Sequence, residues 1–228
     1  MPSQSATFWG SRNLALAALG FNVIVDGLLT VIVAGIDFAP AGTDELLADA
    51  SGKLATLSTL GVWLGGLGFL PWLKATYARA RQLTSSPALE TEWQRGPVIG
   101  FFIPFVNFVR PYSAVRVLDE ALDPDVVPAP PPRRVETNAL YRDAAAAFTS
   151  PARRAVKHAP VAVWWALWIG RIVMQLFVRF STPATNMKIA LQNGVVFGAA
   201  VAACMVVWRI SERLAEVERR VAANEMAL

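Results

Sequence analysis

Four stretches of this chain, residues 14–36, 54–73, 161–178 and 189–207, are each apolar over the length a helix needs to cross a bilayer. A hydrocarbon core about 30 Å thick takes roughly 17–25 residues at about 1.5 Å rise per residue. Within it every backbone polar group must be satisfied by the segment itself, which makes continuous apolar runs helical. The expected fold is therefore an all-α polytopic membrane helix bundle, a single membrane domain over residues 1–228 with four transmembrane helices. Charged residues make up only 17% of the chain, against about 25% in soluble domains. The first run exceeds the roughly 7–15 residues of a cleaved signal's apolar region, and only Arg12 precedes it, so it reads as a retained anchor.

Charge sets the expected orientation. Between the first two runs stand Asp37, Asp44, Glu45 and Asp49 against Lys53 alone. Residues 74–160 carry twelve Lys and Arg, and the tail after Val207 adds Arg209, Arg213, Arg219 and Arg220. The positive-inside bias puts the acidic loop outside and the two basic segments in the cytoplasm, with both termini cytoplasmic. The net charge of +4 does not point to nucleic acid, because the basic residues flank spans instead of forming one face of a soluble module. Their expected partner is a lipid bilayer with anionic headgroups.

Residues 98–109 are as apolar as a span but only 12 long, roughly 18 Å as a helix. Pro97, Pro104 and Pro111 recur every seven residues, so no unbroken helix runs through them. Arg79, Arg81 and Arg95 precede this stretch, and Arg110, Arg116, Arg133 and Arg134 follow it. A crossing would put the following basic segment outside, so a re-entrant or interfacial element at the cytoplasmic leaflet is expected. A proline-kinked fifth span is the alternative. Backbone broken at membrane depth needs protein or water to satisfy it, and Asn107 and Arg110 are candidate partners.

Beyond it, Pro111 opens an amphipathic helix carrying Tyr112, Val115, Leu118 and Leu122, expected on the membrane surface. Residues 123–132 form a cytoplasmic proline-rich linker, and residues 138–149 a helix that ends or kinks at Ser150-Pro151. After the last span a cytoplasmic helix over 209–224 carries Ile210, Leu214, Val217 and Val221 at 4-3-4 spacing. That seam packs on the chain's own cytoplasmic segment or, alternatively, on a second copy, so an oligomer stays open.

Ionisable groups inside spans are functional hypotheses by default. By helical rise Asp26 lies about 18 Å and Arg171 about 15 Å from the cytoplasmic ends of their spans, which matches their depths. Asn22 stands one turn before Asp26 and Gln175 one turn after Arg171, while Gln192 and Asn193 reach similar depth from the last span. An intramembrane polar cluster is permitted: either an ion pair that fixes register, or a polar cavity for a small solute or ion. Gly61 and Gly65, then Gly194 and Gly198, are small-xxx-small pairs that favour close helix packing. Gly20, Gly27 and Ala34 form a further candidate seam, and Trp72 and Trp208 stand where headgroup-level anchors would.

Two strings carry a resemblance. Trp72-Leu73-Lys74-Ala75, Ala78-Arg79-Ala80, Trp93 and Phe102-Ile103-Pro104-Phe105-Val106-Asn107-Phe108-Val109-Arg110-Pro111-Tyr112 form the first, and Trp164-Trp165-Ala166-Leu167-Trp168 the second. Together they resemble the bacterial membrane family known as domain of unknown function 4328, from the second span to the third. The resemblance implies a multi-span bacterial membrane protein and assigns no activity or functional residue; the expected location is the bacterial cytoplasmic membrane, multi-pass.

No His-Glu-x-x-His, Gly-x-Ser-x-Gly, phosphate-cradling glycine loop or dinucleotide fingerprint is present, and His158 sits in the basic flank of a span. With Cys204 the sole cysteine, no intrachain disulfide forms. The carboxylates at Glu90/Glu92, Asp119/Glu120 and Asp123/Asp125 read as solvated faces or turn residues. The expectation is a non-enzymatic accessory or scaffold protein with no cofactor and no metal, which binds a protein partner through its cytoplasmic region. The alternative is a small-solute or ion transporter or channel using the polar cluster.

Overall fold

The computed structural model describes residues 4–38, 42–84, 86–96, 98, 109–123, 151–180 and 185–226. All regular structure among them is helical. In chain order the helices are α1 (Gln4–Gly35), α2 (Asp44–Leu83), α3 (Pro87–Gln94), α4 (Arg110–Ala121), α5 (Pro151–Phe180) and α6 (Asn186–Met226), with a 3-10 turn at Ile36–Phe38. Four are long and apolar enough to cross a membrane: Phe8–Gly35, Glu45–Leu83, Ala159–Phe180 and Asn186–Ala223. The protein is an all-α chain with four such helices, as its apolar runs require.

The helices outrun those apolar runs for local reasons. α2 starts within the acidic stretch, because Glu45 and Asp49 near its N-terminus complement the positive end of the helix dipole. α5 begins on Pro151, a position where the missing N–H costs no helical bond, and continues through Pro160. α6 runs unbroken for 41 residues, about 61 Å, or roughly twice the hydrocarbon thickness. Of the proline-broken stretch only Val98 and Val109 are described, and of the linker only Asp123; the 138–149 helix lies outside the described residues.

The chain forms two compact units, one of residues 1–76 and 163–209, the other of 77–162 and 210–228. In the first, α1 buries Phe8, Ala15, Leu19, Val25, Leu29 and Val33 along one stripe. Its opposite face exposes Leu14, Ile24, Leu28 and Val31, and α5 likewise exposes Val173, Leu176 and Phe177. Helices with apolar side chains on their uncovered as well as their buried faces suit lipid and not water. Leu29 and Val33 pack with Ala190, Leu54 and Ile189. Trp72 is fully buried, its ring 5.2 Å from Phe69, which also lies 5.7 Å from Trp164. Trp72 is thus a core residue and not a headgroup anchor, since neighbouring aromatics cover it; Trp208 is exposed.

The second unit packs the end of α2, α3, α4 and the end of α6 around Tyr77, Leu89, Val115, Leu118, Ile210 and Leu214, all fully buried. Ser86 caps α3 by accepting from the Leu89 N–H, Pro87 occupies the first turn, and Gly96 at φ +74° ends the segment. The Tyr77 hydroxyl donates to the Ala114 carbonyl at 2.6 Å. Protein thus covers the apolar face of α4, which sequence spacing had assigned to the membrane surface. The seam of α6 is likewise buried within this chain at Ile210, Leu214 and Val217.

Here too the carboxylates depart from expectation. Glu92, Asp119 and Asp123 are buried instead of solvated. Asp119 Oδ1 accepts from Arg213 at 2.8 Å, and Glu218 pairs with Arg79 at 2.6 Å. Arg81 reaches Glu90 at 2.7 Å while its guanidinium lies over the Trp93 ring. Arg116–Glu120 is a helix-surface pair of the kind local spacing suggests, as are Lys53–Asp49 and Arg220–Glu216.

Candidate intramembrane polar site

Three polar residues stand at one-turn intervals on α1. Asn22 is 6% exposed, Asp26 is fully buried, and Thr30 donates its hydroxyl to the Asp26 backbone carbonyl at 2.7 Å. A hydroxyl turned back on its own helix is already satisfied, so Thr30 adds no donor to the site. Asn22 and Asp26 lie on one face because residues four apart on a helix are neighbours. That face meets α2.

From α2, Ser58 Oγ donates to Asp26 Oδ1 at 2.5 Å. One turn further on, Gly61 leaves the space that the Asn22 amide fills; a Cβ there would overlap Asn22 Oδ1. A Cβ at Gly65 would lie 3.0 Å from Asn22 Nδ2. The hydrogen in the Cβ direction of Gly61 therefore points at the amide oxygen, a weak C–H···O contact at best. At Gly68 the approach is to backbone, with the Ala15 Cα 3.1 Å from a hypothetical Cβ. The glycines of α2 thus form a groove for α1, and its polar occupant is Asn22.

Arg171 of α5 interacts electrostatically with Asp26, but among the described residues no direct ion pair joins them. Gln175 is exposed, and Gln192 and Asn193 are half-buried. The structure brings Asn22 and Asp26 together with Ser58 and holds Arg171 within electrostatic range. No contact given among the described residues ties Gln175 or Asn193 to them. Gly194 and Gly198 make ordinary contacts, a Cβ at each lying 3.9 Å from Thr30 Cγ2 and 3.6 Å from Leu167 Cδ1. Gly27 faces Phe197 at 3.3 Å, whereas Gly20 has nothing within 4 Å.

Ser58 escaped the sequence reading. It sits among Thr56 and Thr59 in an apolar helix, where isolated hydroxyls are common and usually bond their own backbone. Thr56 and Thr59 do so, to Gly52 and Ala55.

Two oxygens of the site have no hydrogen-bond partner: Asp26 Oδ2 and Asn22 Oδ1, both fully enclosed. Unpaired buried acceptors are costly, so their position marks where a donor belongs.

The proline-broken stretch contributes less. Pro104 and Asn107 lie outside the described residues. Arg110 donates to the Arg95 carbonyl at 3.1 Å and lies 3.8 Å from Glu92, while Pro111 occupies the first turn of α4. Among the described residues no cluster of three His, Cys, Asp or Glu side chains is placed to hold a metal ion.

Comparison with known proteins adds one finding. Curated proteins and solved structures each gave no match to the chain. A family model, domain of unknown function (DUF4328), matches residues 38–215. The match opens after α1, so Ser58, Gly61, Gly65 and Arg171 fall inside it and Asn22 and Asp26 precede it. Covering well over half of the sequence, it shows that the chain belongs to the DUF4328 family.

Proposed function

We propose that this protein is a non-enzymatic accessory or scaffold protein of the bacterial cytoplasmic membrane, multi-pass, with both termini cytoplasmic. The carrying observation is the second unit. Its helices close on a fully buried apolar core and are cross-tied by Arg213–Asp119 and Arg79–Glu218, so the described part of the basic region, the end of α2 with α3, α4 and the end of α6, is a folded module. Arg95, Arg116, Arg219 and Arg220 are exposed on it. The module offers cationic side chains to an acidic protein surface and to anionic headgroups.

The test is affinity purification of the tagged chain from its native membranes after cross-linking, beside an Arg95→Glu/Arg116→Glu variant. A partner retained by the native chain and lost by a folded, membrane-inserted variant supports the proposal. Recovery of the native chain alone ends it. A second reading, an ion transporter, draws support from one observation, the two unpartnered oxygens at Asp26 and Asn22.

A further inference from the structure

Asp26 Oδ2 and Asn22 Oδ1 are enclosed acceptors one turn apart on the same face of α1, and neither has a hydrogen-bond partner. The groups around them are few. α2 supplies Ser58, whose single hydroxyl hydrogen is committed to Asp26 Oδ1, and Gly61 and Gly65, which bring no side chain. On α1 the Thr30 hydroxyl is spent on a carbonyl. α5 supplies Arg171, the one charged side chain that acts on Asp26, without an ion-pair contact among the described residues. α6 places the Phe197 ring against Gly27. With the Asn22 Nδ2 turned toward Gly65, the amide's own hydrogens are not placed on Asp26, and each of the two acceptors lacks a donor.

We propose that Asp26 and Asn22 form a proton-binding site in the membrane-spanning helices, in which a proton on Asp26 Oδ2 is donated to Asn22 Oδ1 while Oδ1 accepts from Ser58. The proton comes from water and returns to it, so no bond other than O–H forms or breaks. One added hydrogen satisfies both orphaned oxygens and removes the charge of a carboxylate that has a single donor. A metal cation fits less well. Hard cations take about six oxygen ligands, and the Ser58 and Thr30 hydroxyls here are already directed elsewhere. The Asn22 amide also lies over Gly61 and Gly65, which bring no side-chain oxygen to an ion. This goes beyond the scaffold reading, stands independently of it, and narrows the ion-transport reading to protons.

The experiment is infrared spectroscopy of the full chain in lipid vesicles, with aspartate carboxyl groups carrying a carbon isotope label. The native chain should show a label-sensitive carbonyl band of a protonated carboxyl group. That band should vanish in Asp26→Asn and shift in Asn22→Leu, which removes the acceptor. Asp26→Asn should also keep its thermal midpoint within about 2 °C, because the new amide can donate to Asn22 and accept from Ser58. Absence of the band in the native chain between about pH 5 and pH 8 overturns the proposal without any variant having to fold. A fall of more than about 6 °C in Asp26→Asn does the same, because it reports Arg171 left without a needed counter-charge.

Discussion

Arg213 reaches back 94 residues to Asp119 and donates to both its carboxylate (2.8 Å) and its backbone carbonyl (2.7 Å). Asp119 is fully buried, and the Arg213 side chain nearly so. The pair clamps the end of α6 to α4 at two points, one of which no side-chain replacement on α4 can remove.

Removing one partner of an enclosed pair leaves an uncompensated charge, typically at a cost of about 3–5 kcal/mol. Asp119→Ala should therefore lower unfolding stability in detergent by about that amount, while Asp119→Leu with Arg213→Met should recover most of it. The exposed Lys53–Asp49 pair, with side chains 74% and 63% exposed, is the control. Lys53→Ala should cost about 1 kcal/mol or less. Equal losses at the two sites would contradict the burial of Asp119.

Glycines of α2 separate by what lies over them. Gly61→Ala drives a methyl group into the Asn22 amide and should destabilise by about 1–3 kcal/mol. Gly66→Ala meets nothing within 4 Å and should be neutral or stabilising by up to about 1 kcal/mol, through helix propensity. Asn22→Ala added to Gly61→Ala should relieve the clash. Thermal melts of the three variants in one detergent decide the matter, and indistinguishable Gly61→Ala and Gly66→Ala curves would refute the groove.

Ser58 is the one side-chain donor that reaches the Asp26 carboxyl group among the described residues. Ser58→Ala strips it and should destabilise by about 1–3 kcal/mol, the cost of a buried acceptor left unmade. Ser58→Thr keeps the hydroxyl and should lose less. If both variants match the native chain in chemical denaturation, the contact contributes nothing.

Orientation is open to labelling. In a Cys204→Ala background, cysteines at Leu46, Ala129 and Ala223 should divide: an impermeant thiol reagent on intact cells should modify only position 46. Leu46 and Ala223 are both exposed, so access does not confound the comparison. Reaction at position 129 without lysis would make the proline-broken stretch a fifth span.

The four spanning helices were legible because length and apolarity act residue by residue. The candidate site was half legible. Asp26 and Asn22 announced themselves as polar groups in an apolar run, and helical rise put Arg171 at their depth. Ser58 did not, because a serine in a spanning helix looks the same whether it bonds its own backbone or a neighbour. The buried carboxylates were misread for a related reason. Asp119 and Glu120 are adjacent, and nothing local separates the one that faces Arg213 from the one that faces solvent and Arg116. Trp72 failed likewise, since a tryptophan at the end of an apolar run suits both a headgroup layer and an aromatic core.

The Asn22 amide between Gly61 and Gly65 works as a mechanical detent. Along that ridge of α2 the next residues are Leu57 on one side and Phe69 on the other. Sliding α1 by one turn, about 5.4 Å, would lift the amide out of its notch and press it against a bulky apolar side chain. Two smooth apolar rods in lipid have little to stop them slipping lengthwise. These two are indexed, and the notch that seats Asn22 keeps Asp26 opposite Ser58.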